Sequence, residues 1–588
     1  MQPLNSLLAT LLRNRLLRTA SSTRSGPRTL KTRQTKTKVV CLSGILLVLA
    51  SPVFAQQGPR LVLQITVDGM RADLLGRYQK NFSKGGFNAL INQGTVYGSA
   101  HYDHANTETI VGHSTLATGA HPSTHGMTGN VWFDAASGEL AYNIEDPEAP
   151  LLPTRETEIA GEQVDPSQKL ARSDGRSPRA LLAPTFSDSL VVHTAGKAKV
   201  FGISGKDRSA VAMAGHSGKA FWMSVNNGDF VTSRYYYADY PQWVKDWNGQ
   251  RKAEQYGGKQ WQLLLDQSHY LLGDQDDRPY EADLRGYGRV FPHAYAPAGD
   301  KLFYTQVLVS PAGNRLLTDF AKTLITAEQL GEDDVPDYLS VSYSSVDAVN
   351  HFFGPSSLEN EDVVLQLDRD LEELLTFVGK TVGLENTLIV LSADHGMAEM
   401  PEYMEELGYE AGRIKPEELV SLANKVAKDR FGLDQVAKFF FRPYLYIDEQ
   451  AVQAAGKSLR EVEQAIASGL GEHPGIALAV SSSGLSALEQ STLLRQIQRN
   501  YHPRRSGHIY LVQKPYWFVF ESGPIVAMHG SPWSYDTHVP LIFMGKGIDA
   551  RQVERRVGIV DVAPTLSRLL GLTPPASSEG TPLLEVFN

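Results

Sequence analysis

The sequence contains almost no cysteine. Among its 588 residues the one cysteine is Cys41, which lies within the apolar run 39–50 near the N-terminus. Residues 1–55 also contain no Asp or Glu, although nine Arg and Lys residues precede the apolar run. A basic segment, an apolar run and small residues at Val53 and Ala55 are typical of a secretory signal peptide. We therefore expect cleavage after Ala55 and export to the periplasm or the medium.

Loss of this segment would leave a mature chain, residues 56–588, without any thiol. Such a chain has no disulfides and no cysteine-ligated metal, so any zinc must be held by histidine and carboxylate. The apolar run is short for a bilayer span, and a retained membrane anchor is the less favoured alternative. The basic part is longer than usual. A start codon assigned too far upstream explains this better than a mitochondrial-type presequence, because both the apolar run and the cleavage site are present.

The chain also has no excess of positively charged residues. The formal net charge is -9 and the sequence pI is about 6.0. Loss of the nine basic residues with the signal peptide would change the charge from -9 to -18. A protein that coats nucleic acid normally carries a clustered basic surface, so this class is disfavoured. We expect a monomer that does not coat nucleic acid.

Four short apolar segments predict core strands of a sheet. They are LVLQITVDGM from residue 61, DYLSVSYSSVD from residue 337, NTLIVLSADHG from residue 386 and HVPLIFMGKG from residue 538. Continuous apolar and β-branched runs of this kind are typical of buried parallel strands. Apolar residues at helical spacing between 363 and 378 predict an amphipathic helix that crosses over between two strands. The pattern predicts an α/β fold with a doubly wound, mostly parallel sheet.

Two long stretches lack this pattern. Residues 222–335 are rich in Tyr, Trp, Gly and Asp, and residues 400–525 mix helical stretches with an aromatic cluster at 516–518. The length of the chain also exceeds what one hydrophobic core usually fills. We expect one catalytic domain over residues 56–588, with these two stretches as insertions that form a lid over the strand ends.

Polar residues occur where the predicted strands begin or end. Ligands of open α/β sheets bind beyond the carboxyl ends of the strands. The candidates there are three aspartates and three histidines: Asp68, Asp347, His351, Asp394, His395 and His538. They divide into two sets of three, and each set leaves a coordination position open, as catalytic zinc requires. Each residue alone could be a cap, a turn residue or half of a solvated pair, so the metal hypothesis depends on their convergence.

Thr109 is the candidate nucleophile. It stands at the predicted start of a short helix, where free backbone amides and the helix dipole favour a phosphate. A threonine hydroxyl is a weak nucleophile unless a metal ion lowers its pKa. Without the metal set Thr109 would be a capping residue, and Thr107 and Ser114 are the competing hydroxyls.

Seven segments occur in an order that resembles one enzyme superfamily. They are VDGMR at 67–71, TIVGH at 109–113, HGMTGN at 125–130, SGKDRSA at 204–210, SSVDAVNH at 344–351, ADHGM at 393–397 and YDTHVPLIF at 535–543. With them the chain is similar to the alkaline phosphatase superfamily, from about residue 60 to VDVAPTLSRLLGL near the C-terminus. Within that superfamily it resembles the nucleotide pyrophosphatase/phosphodiesterase branch and its phosphate-insensitive bacterial alkaline phosphatases.

The resemblance implies a two-zinc site. One Zn2+ would be held by Asp347, His351 and His538. The other would be held by Asp68, Asp394, His395 and the Thr109 oxygen. Thr109 would attack phosphorus and form a phosphothreonine that water then hydrolyses. His113 and His529 are expected to support ligands rather than to bind metal. Histidine and aspartate ligands would also suit manganese or iron.

The resemblance also bears on the substrate. Lys206, Arg208 and Asn130 match residues that contact the transferred phosphoryl oxygens in monoesterases of this branch, and diesterases typically lack the Lys and the Arg. A terminal phosphate monoester carries about one more negative charge than a diester near neutral pH, and two cations suit it. We therefore expect a phosphomonoesterase, an alkaline phosphatase, with a phosphodiesterase or nucleotide pyrophosphatase as the alternative. The resemblance thus implies small phosphate esters as ligands, with nucleotides bound only as substrates.

Other functions fit the sequence less well. A sulfatase needs a C/S-x-P-x-R motif, which the sequence lacks. The cofactor-independent phosphoglycerate mutases and phosphopentomutases use a similar metal site in the cytoplasm, and the signal peptide opposes both. An inactive relative that binds phosphorylated or glycan ligands is disfavoured by the intact nucleophile and ligand set.

Overall fold

A ten-stranded sheet lies at the centre of the fold. The computed structural model describes residues 58–134, 137–155, 162–284, 286–487, 491–520 and 524–587. The predicted signal peptide lies outside these residues, so it stays a prediction. In the described part of the chain, no helix combines the length and the apolar character that a membrane-crossing segment needs.

The strands, in chain order, are β1 Leu61–Val67, β2 Thr95–His101, β3 Val131–Asp134, β4 Glu139–Tyr142, β5 Val200–Ser204, β6 Lys219–Met223, β7 Phe230–Val231, β8 Gln260–Trp261, β9 His293–Ala294, β10 Asp337–Tyr343, β11 Thr387–Ser392, β12 Gly412–Ile414, β13 Ala437–Phe441, β14 Tyr444–Ile447, β15 Ile476–Ser481, β16 Ile509–Gln513, β17 Trp517–Val519, β18 His538–Val539, β19 Leu541–Gly545 and β20 Arg551–Gly558.

The α-helices are α1 Asp73–Tyr78, α2 Phe87–Gln93, α3 Thr109–Thr118, α4 Pro122–His125, α5 Phe186–His193, α6 Asp207–Ala214, α7 Gln242–Gly249, α8 Phe303–Leu308, α9 Pro311–Ala327, α10 Ser345–Phe353, α11 Leu358–Thr381, α12 Pro401–Glu406, α13 Pro416–Phe431, α14 Glu449–Ala454, α15 Leu459–Leu470, α16 Thr492–Asn500, α17 Ser534–Thr537 and α18 Val562–Leu569.

The central sheet runs in the order β18-β2-β19-β11-β1-β10-β5-β6-β7, and β20 pairs with β2. The five neighbours β11, β1, β10, β5 and β6 are parallel to one another. Strand β19 joins them antiparallel to β11. All seven residues of β1 are buried, as expected for a strand covered on both faces. The predicted α/β fold with a doubly wound, mostly parallel sheet is confirmed.

The predicted crossover helix is α11, which spans 24 residues between β10 and β11. Its apolar residues repeat at helical spacing and are buried, and Ser357 caps its start by accepting a hydrogen bond from the Asn360 N–H. The helix packs beside α9 against the sheet core. This connection returns the chain so that β10 and β11 lie on either side of β1, with all three carboxyl ends at one edge.

A second hydrophobic core lies within residues 412–519. Strands β13, β14, β16 and β15 form a four-stranded antiparallel sheet. Residues of α13 and α15 pack against it, including Leu419, Val462 and Ile466. In the other predicted insertion, α9 instead contributes to the core of the central sheet through residues such as Phe320. The predicted insertion boundaries stay predictions.

Candidate metal centre and nucleophile

Three aspartates meet at the carboxyl edge of the central sheet. Asp68 directly follows β1, Asp394 follows β11 after one residue, and Asp347 lies in the first turn of α10 just after β10. Their side chains come together because β10 and β11 both pair with β1 in parallel. All three residues have no exposed surface. Three carboxylates removed from water in one place require nearby cations.

Two groups of side chains at this edge could each hold a metal ion. Asp68, Asp394 and His395 each place one donor atom within 4.8 Å of the others, and Asp347, His395 and His529 do the same. His351 lies one helical turn after Asp347, with its Nε2 3.3 Å from Asp347 Oδ2. Because His395 belongs to both groups, the two groups adjoin. Oxygen and imidazole donors without sulfur suit catalytic zinc.

Several of these carboxylate oxygens are buried without a hydrogen bond in the described part of the chain. Asp68 Oδ1, Asp347 Oδ1 and Asp394 Oδ2 accept no hydrogen bond from the residues that the structure describes. Buried polar atoms are normally hydrogen-bonded, so such oxygens in one cluster are unusual. Divalent cations would take these oxygens as ligands, and the side chains therefore fit metal ions on this observation as well as on donor type.

The electrostatics of the cluster also favour the binding of cations. Burial alone would lower the pKa of His395, but Asp394 and Asp68 outweigh it and raise that pKa to about 10. Burial and the nearby Asp68 together raise the pKa of Asp394. For Asp68 itself burial acts upward, but Lys206 beside it holds the pKa below its usual value. The cluster has a surplus of negative charge, which divalent cations would neutralise.

Thr109 is the first residue of α3, as predicted. Its buried Oγ1 lies 3.4 Å from His395 Nε2 and 3.3 Å from Arg208 Nη2. Of the competing hydroxyls, Thr107 donates to the Ser531 carbonyl at 3.0 Å. Thr109 is the one of these hydroxyls that the described contacts place against the metal-binding side chains. The first backbone N–H groups of α3 add partial positive charge beside it.

Gly112 allows α3 to approach the strand end that carries Asp394. A Cβ at position 112 would lie 1.9 Å from the Asp394 backbone oxygen, far inside contact distance. Any side chain there would push the helix away from β11. The spacing between the Thr109 hydroxyl and Asp394 therefore depends on a residue three positions further along the helix.

Lys206 and Arg208 lie on either side of the start of α6 and are both buried. Lys206 Nζ lies 2.9 Å from Asp68 Oδ2 and also contacts Asp347 Oδ2. Arg208 Nη1 donates to Asp165 Oδ2 at 2.7 Å. Its Nε is buried and donates to none of the described residues. Two buried cations at one site, of which Arg208 contacts Thr109 and has a donor that no described residue uses, suit the oxygens of a phosphoryl group.

Asn130 stands beside the start of α3. Its Oδ1 accepts a hydrogen bond from the Ile110 N–H at 3.2 Å, and its own N–H donates to Glu108 Oε2 at 2.6 Å. These contacts join it to the residues on both sides of Thr109. Asn130 lines the same cavity as Lys206 and Arg208, which is where the predicted neutral donor is needed.

His113 contacts the site from inside α3. Its Nδ1 lies 2.9 Å from the Thr109 backbone oxygen and 3.2 Å from Asp394 Oδ2, and its Nε2 lies 2.8 Å from Ser342 Oγ. Both ring nitrogens thus have protein neighbours, as expected for a residue that orients a ligand.

His538 lies away from the metal-binding groups, and the structure corrects its assignment as a ligand. It begins β18, which pairs with β2 so that His538 stands opposite His101. The two rings stack with centroids 4.5 Å apart, and His538 Nε2 lies 3.0 Å from the Gly98 oxygen. The strand that carries His538 is not a neighbour of β1 or β10, so its side chain meets β2 residues instead.

His529 occupies the place that the sequence assigned to His538. Its Nε2 lies 3.7 Å from Asp347 Oδ1, and its ring stacks on His395 with centroids 3.5 Å apart. Its Nδ1 lies 2.8 Å from the Thr107 backbone oxygen, which fixes the ring with Nε2 toward the cluster. The sequence predicts that His529 supports the ligands without binding metal. The structure corrects this prediction, because His529 belongs to the candidate ligand set.

Asp165 is a site residue that the sequence analysis did not predict. It lies just before the short 3-10 helix Gln168–Leu170, and its carboxylate pairs with Arg208. No strand end or familiar spacing marks it. Only the folded position of residues 162–174 against α6 brings it to the site.

A cavity of about 760 Å³ opens beside these side chains. Asn130, Lys206 and Arg208 line one part of it, and Phe441 and Phe520 line another. Cavities of this size hold small molecules, and the combination of cations with aromatic rings suits a phosphate ester with an organic group.

Comparison with known proteins agrees with this geometry. Residues 62–532 match the family model for type I phosphodiesterase / nucleotide pyrophosphatase. The chain belongs to this family. The predicted resemblance to the superfamily and to this branch is confirmed.

Bacterial relatives match over nearly the whole chain. Alkaline phosphatase PafA of Elizabethkingia meningoseptica is 33% identical over 556 residues, covering 93% of this chain and 98% of the relative. A Myroides odoratus protein named "Calcium-transporting ATPase" is 32% identical over 534 residues, with 90% and 95% covered. Alkaline phosphatase PhoV of Synechococcus elongatus is 31% identical over 537 residues, with 90% and 93% covered. The crystal structure of PafA superposes with a TM-score of 0.81 at 31% identity, covering 90% of this chain and 99% of PafA.

Proposed function

We propose that this protein is an exported, zinc-dependent alkaline phosphatase that hydrolyses phosphate monoesters through a covalent phosphothreonine at Thr109. Relatives that bear the name alkaline phosphatase support the reaction class. The observation that carries the proposal is the position of Thr109 Oγ1, which lies 3.4 Å from His395 Nε2 and 3.3 Å from Arg208 Nη2. The position of this hydroxyl between candidate metal ligands and a buried arginine supports a role in attack on phosphorus.

The ligand sets that we propose start from the two groups of donor atoms, with His395 assigned to the first set only and His351, whose Nε2 lies 3.3 Å from Asp347 Oδ2, added to the second. Asp68, Asp394, His395 and the Thr109 oxygen would hold one Zn2+ ion. Asp347, His351 and His529 would hold the other. When bound, such paired ions supply Lewis-acid stabilisation of the attacking and leaving oxygens of an in-line displacement. Manganese or iron in place of zinc is compatible with the same donors.

The residues of the chain then act one after another in the reaction. Arg208 and Lys206 hold the phosphoryl oxygens, and Asn130 supplies a neutral contact, so that phosphorus faces Thr109. Thr109 Oγ forms a bond to phosphorus while the bond to the ester oxygen breaks, and the alcohol leaves. Water then attacks the phosphothreonine from the side that the alcohol vacated, which returns the Thr109 hydroxyl and releases phosphate.

The preference for monoesters rests on the two buried cations. A monoester brings about one more negative charge than a diester near neutral pH, and charge-assisted donors stabilise that charge in a buried site. Lys206 also neutralises part of the Asp68 and Asp347 charge, which would otherwise repel the substrate. A phosphodiesterase of the same family is the second candidate, because the family description names that activity.

Export and domain organisation complete the proposal. Cleavage after Ala55 would place residues 56–588 in the periplasm or the medium as one catalytic domain, with insertions at about 222–335 and 400–525. We expect the mature enzyme to act as a monomer on small phosphate esters. N-terminal sequencing of the secreted protein tests the cleavage site directly.

Two measurements test the catalytic proposal. First, kcat/KM of the zinc-loaded protein is compared for a monoester and a diester with the same leaving group, and the monoester should be strongly preferred. Second, acid-quenched protein is digested and analysed by mass spectrometry, and phosphate should be found on Thr109 and not in the Thr109→Ala variant. A preference for the diester would favour the second candidate. Phosphate on another residue would refute Thr109 as the nucleophile.

A further inference from the structure

The carboxylate of Asp165 holds one end of the Arg208 guanidinium. Asp165 Oδ2 accepts a hydrogen bond from Arg208 Nη1 at 2.7 Å. The Arg208 side chain is 4% exposed and the Asp165 side chain is 20% exposed, so the arginine end of this pair is shielded from water and the carboxylate end is partly shielded. Shielded pairs of this kind hold their geometry better than exposed pairs, whose side chains move freely.

The nitrogen that Asp165 contacts leaves the rest of the guanidinium available. The Nε and Nη2 donors of an arginine share one edge of its planar group, and Nη1 lies at the other end. Nη2 lies 3.3 Å from Thr109 Oγ1, and the buried Nε donates to no residue within the described ranges. The edge with two donors therefore faces the nucleophile while the opposite end is fixed.

Asp165 is itself fixed to the helix that carries Arg208. Its Oδ1 accepts two backbone N–H bonds from its own turn, at 2.8 and 3.3 Å. Gln168, in the same turn, donates to Asp207 Oδ1 at 2.7 Å. Asp207, the first residue of α6, also accepts from Tyr142 Oη and Arg176 Nε, each at 2.7 Å. The turn and the start of α6 form one hydrogen-bonded unit.

We propose that Asp165 is a positioning residue for monoester hydrolysis, which holds the Arg208 guanidinium so that its Nε and Nη2 donors face the phosphoryl group at Thr109. The inference rests on the proposed function and adds a residue to it. A carboxylate would repel a phosphate dianion, so Asp165 acts through Arg208 and not by contact with the substrate. Its effect should appear on substrates whose hydrolysis uses Arg208.

The test compares four variants, Asp165→Ala, Asp165→Asn, Arg208→Ala and the Asp165→Ala/Arg208→Ala double variant, each loaded with zinc. We expect Asp165→Ala to lower kcat/KM for a monoester about 10-fold to 100-fold, the usual effect of losing a supporting partner, and to change the matched diester far less. Asn keeps an oxygen that accepts from Nη1, so Asp165→Asn should recover part of the loss. The double variant should be no slower than Arg208→Ala alone, because the two residues act as one unit.

An exposed aspartate away from the cavity provides the control. Asp549→Ala removes an equal charge and should leave both activities unchanged. Three results would overturn the inference. Asp165→Ala could have wild-type kcat/KM for the monoester while Arg208→Ala is impaired, or Asp165→Ala could slow monoester and diester equally. In the double variant, the loss in kcat/KM from Asp165→Ala could add fully to the loss from Arg208→Ala. Should Asp165→Ala fail to fold, the same comparisons are made with Asp165→Asn, which keeps the side-chain volume. A wild-type protein without monoesterase activity would instead overturn the proposed function, and the inference with it.

Discussion

Replacing Lys206 and Arg208 together by alanine should change the substrate preference of the enzyme. Both cations are buried at the site, Arg208 against Thr109 and Lys206 against Asp68, and a monoester presents about one more negative charge to them than a diester does. One unit charge about 4 Å from a cation is stabilised by about 4 kcal/mol at an effective dielectric constant of about 20. Water that enters the truncated site would reduce this figure. We therefore expect the monoester loss in kcat/KM to exceed the diester loss by about 100-fold to 1,000-fold, or about 3–4 kcal/mol.

The assay uses p-nitrophenyl phosphate and bis-p-nitrophenyl phosphate, which share a leaving group. Wild-type and variant proteins are loaded with zinc, and their metal content is measured, because Lys206 contacts two candidate ligands. Lys457→Ala, which removes a positive charge from an exposed position in the 412–519 segment, is the control and should leave the ratio unchanged. Equal losses on both substrates at full metal content would refute the assignment of these cations to monoester recognition.

Three further predictions follow from the site. His529→Ala should lose bound metal and nearly all activity, whereas His538→Ala should keep both. If metal analysis and turnover instead show these losses in His538→Ala, the ligand assignment made from the sequence would be restored. Gly112→Ala should lower stability by about 1–3 kcal/mol, since its Cβ would lie 1.9 Å from the Asp394 oxygen. Gly76→Ala is the control: nothing lies within 4 Å of the added Cβ, so this variant should gain about 0.5–1 kcal/mol of stability. Thermal unfolding of the two variants measures the difference, and similar melting temperatures would contradict the close approach of α3 to Asp394. Removal of metal by a chelator should abolish activity and lower the melting temperature, and Zn2+ should restore both; activity that survives complete removal would exclude a metal-dependent reaction.

The parts of the fold that the sequence predicted well are those set by local patterns. The strands before Asp68 and Asp394 are continuous apolar runs, and such runs are buried on both faces only in the middle of a parallel sheet. The helix α11 shows helical periodicity over most of its length. Because parallel strands end at one edge, the convergence of Asp68, Asp347 and Asp394 followed from the strand assignment alone.

The choice between His529 and His538 could not be made in this way. Both histidines lie in the segment before β19, nine positions apart, and both precede apolar or aromatic residues. What separates them is pairing: β18 joins β2, so His538 stacks on His101, and the loop before it carries His529 to Asp347. Strand order is a long-range property that no local pattern in this segment records.

Asp165 illustrates a second limit. Its segment has no strand and only one short 3-10 helix, Gln168–Leu170, so periodicity says nothing about where it lies. Its place beside Arg208 depends on backbone N–H bonds within its turn and on the contact of Gln168 with Asp207. Contacts of this kind appear only when both segments are folded together.

A crystal structure of the zinc-loaded protein, with an anomalous difference map at the zinc edge, tests the central claim most directly. We predict two zinc peaks about 3.5–4 Å apart, one bound by Asp68, Asp394, His395 and Thr109 and the other by Asp347, His351 and His529. A single peak, or a peak bound by His538 in place of His529, would contradict the two-metal site on which the proposed chemistry depends.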